Sequence, residues 1–194
     1  ASLVNLAAAW YTIEKVIGLV QKAWHFAEMA ADFEEQKRSL NNFAATYQTT
    51  ADAIIDKVQE LTRGQISLMN IARISSKALA LDVPLDKYEE LAKYADAVGD
   101  AIGLHTTEAL EMMTEAAEKG TARFMKQVAG VVDLDAKFGK LTESMTEHEK
   151  IQARVGIMLD ILHKKYGNVA DGVDSNADKM ERMKATLENI QLIL

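Results

Sequence analysis

Apolar residues recur along this chain at alternating steps of three and four. Leu3, Leu6, Trp10, Ile13, Ile17, Val20, Trp24, Ala27 and Ala31 form the first such run. It is the a/d seam of a coiled coil, sustained for about four heptads. After Asp32 the phase shifts. Leu40, Ala44, Tyr47, Ala51, Ile54, Val58 and Leu61 then keep a mean spacing near 3.5. No Pro interrupts this stretch, and Gly18 is its only helix-weakening residue before Gly64. The spacing predicts one helix from Leu3 to Thr62, roughly 90 Å long at 1.5 Å per residue. A helix of that length must either self-associate or fold back at an unmarked hinge near Asp32.

Beyond Gly64 the pattern breaks into shorter pieces with readable ends. Leu68, Ile71, Ile74, Ala78 and Leu81 mark a helix over 65–81. Asp82 and Pro84 signal the start of the next, because Pro tolerates the first turn and Asp can accept from free N–H groups. Its apolar face is Leu85, Tyr88, Leu91, Ala92, Ala95, Val98 and Ile102, and Gly103 stops it. Thr106 or Thr107 is the expected cap of a fourth helix carrying Ala109, Leu110, Met113 and Ala117, which Gly120 ends as a left-handed cap. A short helix over 122–129 and a brief extended pair at Val131–Val132 follow. Thr146 and Glu149 have capping-box spacing and open a helix to Tyr166, with Ile151, Val155, Met158, Leu159 and Leu162 as its buried face. Gly167 closes it. Residues 168–176 read as a polar loop, and Met180, Met183, Leu187, Ile190 and Leu194 begin another seam.

The predicted fold is therefore all-α: a long N-terminal helix with a coiled-coil-like seam, then a compact bundle of short helices. The segments are 1–63, a long helical or coiled-coil stretch; 64–167, a globular helical domain; and 168–194, a loop and the start of a further coiled-coil helix. The core of the globular part is expected to be Leu91, Ile102, Leu110, Met113, Val155, Leu159 and Leu162. Composition agrees: of 194 residues, 48% are hydrophobic, only 6% are aromatic, and there is one Pro. That apolar share is too high for a disordered chain. The chain begins without Met and stops inside an apolar pattern, so a piece of a longer protein is expected.

Charge and chemistry narrow the function by exclusion. The net charge is −7, with 29 acidic residues interleaved among 22 basic ones. Phosphate-backbone affinity comes from gathered Lys and Arg, so no tight nucleic-acid binding is expected. There is no Cys, hence no disulfide and no thiolate metal site. The histidines are His25, His105, His148 and His163, and none has the spacing that puts two ligands on one helix face. Gly99 and Gly103 lack the Lys-Ser/Thr and strand context of a phosphate loop. Glu89, Glu90, Glu115, Glu118 and Glu143 read as solvated helix faces. The nine Met, including Met112, Met113, Met180 and Met183, read as core packing. The expectation is no catalytic residue, no metal and no cofactor: a protein that is not an enzyme. Residues 1–13 are uncharged, but Glu14 and Lys15 would sit mid-span in any membrane helix, at a few kcal/mol each.

One succession of segments goes further. It comprises Ala78–Leu85, then Ala101-Ile-Gly-Leu-His-Thr-Thr-Glu through Glu118-Lys-Gly120, then Gly130-Val-Val-Asp-Leu134. Leu141-Thr-Glu through Glu149-Lys150, and Lys164-Lys-Tyr-Gly167, complete it. In order and spacing this resembles the globular helical region of phage tail tape measure proteins, across residues 43–191 and best over 83–167. Each motif is a helix start or stop. The resemblance implies a structural component that sets tail length, scaffolds tail tube polymerisation, occupies the tube lumen in several copies and leaves with the DNA at infection. It implies the tail lumen of the virion as location, with the host cytoplasm during assembly. The implied partners are tail tube and tail tip proteins, other copies of the chain, and a host membrane at infection. Some members carry peptidoglycan-cleaving insertions; this chain shows none.

The long apolar stripe must find a partner. The expectation is a homo-oligomer, trimer or larger, through Leu3, Leu6, Trp10, Ile13, Ile17, Val20 and Trp24, since Trp at seam positions needs a wide core. The rival expectation is an α-helical membrane-permeabilising or pore-forming protein that inserts residues 1–31. A signalling coiled coil with a helical sensor domain is a third, and it would need a convergent polar pocket in the middle helices.

Overall fold

The first apolar repeat does build a helix, but a shorter one than its spacing implies. In the computed structural model the described residues are 3–120, 126, 144–167 and 176–193, and the side chains of 3–14, 16, 176 and 193 lie outside that description. Helix α1 spans Leu3–Ala44, 42 residues and about 63 Å. A 3₁₀ turn follows at Ala45–Tyr47, and Gln48 adopts a left-handed backbone with φ 56°. The chain then reverses into α2, Ala51–Leu61. The single helix to Thr62 is thus wrong, and so is a hinge at Asp32; the break lies at residues 45–50. Two side chains hold it. Thr50 Oγ1 accepts the N–H of Ala53 at 3.2 Å, a regular N-cap, and Asn41 Oδ1 accepts the N–H of Ala51 at 2.7 Å.

The remaining helices are α3 (Leu68–Ala80), α4 (Leu85–Ile102), α5 (Thr106–Lys119), α6 (Glu147–Tyr166) and α7 (Asn176–Ile193). The fold is all-α, with no strand among the described residues. Of the expected short helix over 122–129 only residue 126 is described, and it is helical; the Val131–Val132 pair lies outside the described residues, as does the loop expected over 168–176 except for Asn176, which opens α7. Gly103 and Gly120 end α4 and α5 with φ 74° and 69°, as their positions implied. Thr146 and Glu149 form the reciprocal capping box: the Glu149 carboxylate accepts the Thr146 N–H at 2.7 Å, and Thr146 Oγ1 accepts the Glu149 N–H at 3.3 Å. Two starts differ from expectation. Asp82 does not cap α4; it is itself left-handed, φ 58°, and Pro84 sits at the cap. The cap of α5 is His105, whose N–H donates to Glu108 at 3.2 Å.

One core joins the pieces. Leu40 and Ala44 of α1, Ile54 and Val58 of α2, Ile71 and Ile74 of α3, Leu91 and Val98 of α4, Leu110 and Met113 of α5, and Val155, Leu159 and Leu162 of α6 pack together. Six of the seven expected core residues are buried, and Ile102 packs half-buried at the edge. At Gly99 an added Cβ would lie 2.7 Å from the Leu104 carbonyl oxygen. Only glycine permits the chain to return that closely over the end of α4.

Two polar features are buried with the core. Ser75 and Tyr88 hydrogen-bond at 3.0 Å, and burial pushes the Tyr88 hydroxyl pKa far above its ordinary range. Arg154, 5% exposed, reaches from α6 to the end of α5 and donates to the carbonyls of Ala117 (3.2 Å) and Glu118 (2.7 Å). A guanidinium fits there because the last carbonyls of a helix have no partner inside it.

Candidate interaction surfaces

Helix α1 leaves the core well before its N-terminus. From Lys15 to His25 the described residues are exposed, apart from Gly18. Phe26, Met29, Ala30 and Phe33 are half-buried where α1 enters the bundle beside α3 and α7. The seam residues described on the projecting part are open to solvent: Ile17 at 50%, Val20 at 60% and Trp24 at 75% of their surface, with Leu19 exposed beside them. Leu3, Leu6, Trp10 and Ile13 also lie on α1, and their side chains are outside the described residues. The stripe read from the heptads is therefore uncovered within one chain wherever it is described. No described helix is long and apolar enough to cross a membrane.

Helix α7 is oriented against expectation. Met180 and Met183 do not join a core. They are exposed with Leu187 and Ile190, so the apolar stripe faces out. The inward face is Asp178, Glu181, Ala185 and Asn189, and hydrogen bonds from Glu181 and Asn189 anchor it. Asn189 Oδ1 accepts the N–H of Leu68 at 2.8 Å, at the start of α3. Glu181 accepts the N–H of Thr106 at 3.2 Å and meets His105 Nδ1 at 2.7 Å, at the start of α5. One helix thus satisfies free N–H groups of two others, and the Glu181 charge suits the positive end of α5. Neither contact has a sequence signature, because periodicity shows a stripe and not the side to which it turns.

Beside these contacts runs an open groove of about 720 Å³. The start of α3 (Ser67, Asn70) and of α5 (His105, Thr107) form one wall, and Met180, Met183 and Leu187 form the other. Behind it a buried relay links three segments. Thr106 Oγ1 donates to Gln65 Oε1 at 2.9 Å, and Gln65 Nε2 donates to Asp96 at 3.1 Å. Asp96, Asp100 and Asp178 bring carboxylate oxygens within 4.8 Å of one another across α4 and α7. Burial, and then the charge of Asp178, raise the pKa of both Asp96 and Asp100 above the usual aspartate range.

The other sequence candidates do not converge. His163 bonds the Tyr94 hydroxyl at 3.0 Å, His148 lies 3.4 Å from Asp82 and 2.7 Å from Gln152, and His25 stacks loosely near Phe26. Gly99 lies inside α4 and Gly103 caps it. Glu111 and Glu115 are tied to Arg73 and Lys77 across α3 and α5 at 2.7 and 3.4 Å. The Arg73 guanidinium holds Glu111 below the ordinary glutamate range. These are ion pairs between neighbouring helices. No protein-family profile, curated protein or solved structure matches the chain.

Proposed function

We propose that the chain is a structural, non-enzymatic assembly component of the phage tail tape measure type. It sets tail length, scaffolds tube growth and occupies the lumen until it leaves with the DNA. What supports the reading is the seating of the punctuation that carries the resemblance. Gly103 and Gly120 fall at left-handed helix ends, Thr146–Glu149 at a working capping box, and Gly167 just after Tyr166, the last residue of α6. A long helix whose apolar stripe leaves the bundle uncovered suits self-association into a trimer or larger. Tail tube and tail tip proteins are the other partners in this scheme. The decisive experiment is genetic: in-frame deletion within the gene should give particles whose tails, measured by electron microscopy, are shorter in proportion. Tails of unchanged length would overturn the proposal.

The exposed Ile17–Leu19–Val20–Trp24 surface favours a second reading, a membrane-permeabilising helix over residues 1–31. Dye release from liposomes at micromolar protein would support it. Intact vesicles, with the stripe covered by another chain, would remove it.

A further inference from the structure

The two outward stripes, on α1 and on α7, differ in their flanks. Along α1, with Ile17 and Trp24 at a and Val20 at d, the e positions are Glu14, Gln21 and Glu28, and the g positions are Ala or Val. Along α7, with Met180 and Leu187 at a and Met183 and Ile190 at d, the charged flanking residues are Lys179 at g and Lys184 at e. Glu28, Lys179 and Lys184 are exposed. Flanking charges decide which helices of a coiled coil pair. Two α7 stripes side by side in parallel would set Lys179 against Lys184. Two α1 stripes would set Glu against Ala. Only α1 on α7 brings opposite charges together: a Glu of α1 meets Lys179 when the helices run parallel, with Lys184 then facing Ala or Val.

We propose that the α7 stripe and its adjoining groove are the seat for the α1 stripe of a second copy of this chain. Within one chain α1 and α7 are neighbours, yet Ile17, Val20 and Trp24 on α1 and Met180, Met183, Leu187 and Ile190 on α7 all stay open. The groove beside Met180, Met183 and Leu187 offers room for an aromatic side chain as large as Trp24. This also accounts for a helix docked with its polar face inward. Glu181 and Asn189 hold α7 on its own bundle, which leaves the methionines for the neighbour. Met suits such a seat because its unbranched thioether adapts to the surface it meets. Each copy gives α1 and receives on α7, so the contact is heterologous and closes into a ring or continues as an open filament. The inference rests on the self-association in the preceding proposal and not on its viral part.

The test uses two variants, each with one spoiled face: Ile17→Asp with Val20→Asp, and Met183→Asp with Leu187→Asp. All four positions are exposed, so helix content by circular dichroism should match the unaltered chain. In size-exclusion chromatography with light scattering at tens of micromolar, the unaltered chain should exceed a dimer. Each variant alone should run as one chain. Mixed in equal amounts they should form a two-chain complex and nothing larger, because one intact α1 stripe meets one intact α7 stripe. Lys179→Glu with Lys184→Glu, which leaves the apolar residues in place, should weaken assembly at least tenfold, and adding Glu14→Lys with Glu28→Lys should recover it. A Met183→Asp, Leu187→Asp chain that assembles like the unaltered one would overturn the proposal and show α1 pairing with itself. An unaltered chain that stays monomeric would overturn it too. Neither result touches the tail-length measurement, which judges the viral reading separately.

Discussion

Arg154 offers the sharpest check on how the bundle is held. The end of α5 exposes four carbonyls without intrahelical partners. The Gly120 N–H takes that of Ala116 at 3.0 Å, and Arg154 takes those of Ala117 and Glu118. Replacing Arg154 by Met keeps a long apolar stem against the same neighbours and removes the donors. A hydrogen bond from a charged group contributes about 1.5–3 kcal/mol. Two are lost, but Glu118 is at the surface and water can reach its carbonyl in part. The expected loss is therefore about 3 kcal/mol, less than twice the single-bond value. With a urea slope of about 2 kcal/mol/M, the unfolding midpoint should fall by about 1.5 M at unchanged slope. Both bonds come from Nη1, so Arg154→Lys, whose ammonium also carries several donors on a shorter side chain, should recover part of this. A Met variant within about 0.5 kcal/mol of the parent would show that water replaces the guanidinium freely, and the capping argument would fail.

Four further outcomes are expected. Leu159→Ala removes a buried side chain of α6 and should cost roughly 2–5 kcal/mol in denaturant unfolding; a cost below half a kcal/mol would mean that α6 is not docked. Gly99→Ala forces a methyl against the Leu104 carbonyl and should cost about 1–3 kcal/mol, so an unchanged melting temperature would contradict the close approach. Asp100 has a raised pKa from burial and from Asp178 and Glu181, so its ionisation opposes the folded state: its full contribution is present below the ordinary aspartate range and is lost as pH rises through the raised value. Asp100→Asn should then stabilise the protein at pH 7 by about 0.2–0.5 kcal/mol, the size of a like-charged pair on a helix surface, and by nothing at pH 3; equal melting shifts at both pH values would refute the electrostatic cause. In gel-shift titration at about 50 mM salt, no micromolar complex with DNA should form, and one that did would mean that the fold gathers its basic residues on one face.

The sequence discloses the fold well where a stop is written in a residue that has few other uses. Gly103, Gly120 and the Thr146–Glu149 pair are of this kind, and each sits at a helix end. The reversal after α1 was hidden because Gln48, with no preference for a left-handed backbone, occupies the turn that Gly or Asn usually takes. Thr50 before Ala51-Asp52 is a real start signal, but it fell inside an apolar rhythm that continues in phase across the break. The His105 cap was obscured by two adjacent threonines, and Thr106 spends its hydroxyl on Gln65 instead. The heptads on α1 and α7 were legible as stripes. Their exposure was not, since the inward hold of α7 rests on Glu181 and Asn189 reaching residues 75 and 121 positions away. Arg154, set among the apolar positions of α6, carries no sequence signature for the same reason.

The projecting part of α1 has a consequence for how this chain can change over generations. Between Lys15 and His25 no described side chain is buried, so length added there disturbs no packing among the described residues. An insertion of seven residues lengthens the projection by about 10.5 Å and turns the Ile17–Val20–Trp24 stripe by only about 20°. An insertion of three or four swings everything beyond it by about 40–60°, since each residue turns the helix by about 100°. Duplications and losses in units of seven would therefore pass unpunished where other lengths would not. The reach of this helix is a heritable quantity with a step size, set independently of the bundle that carries it.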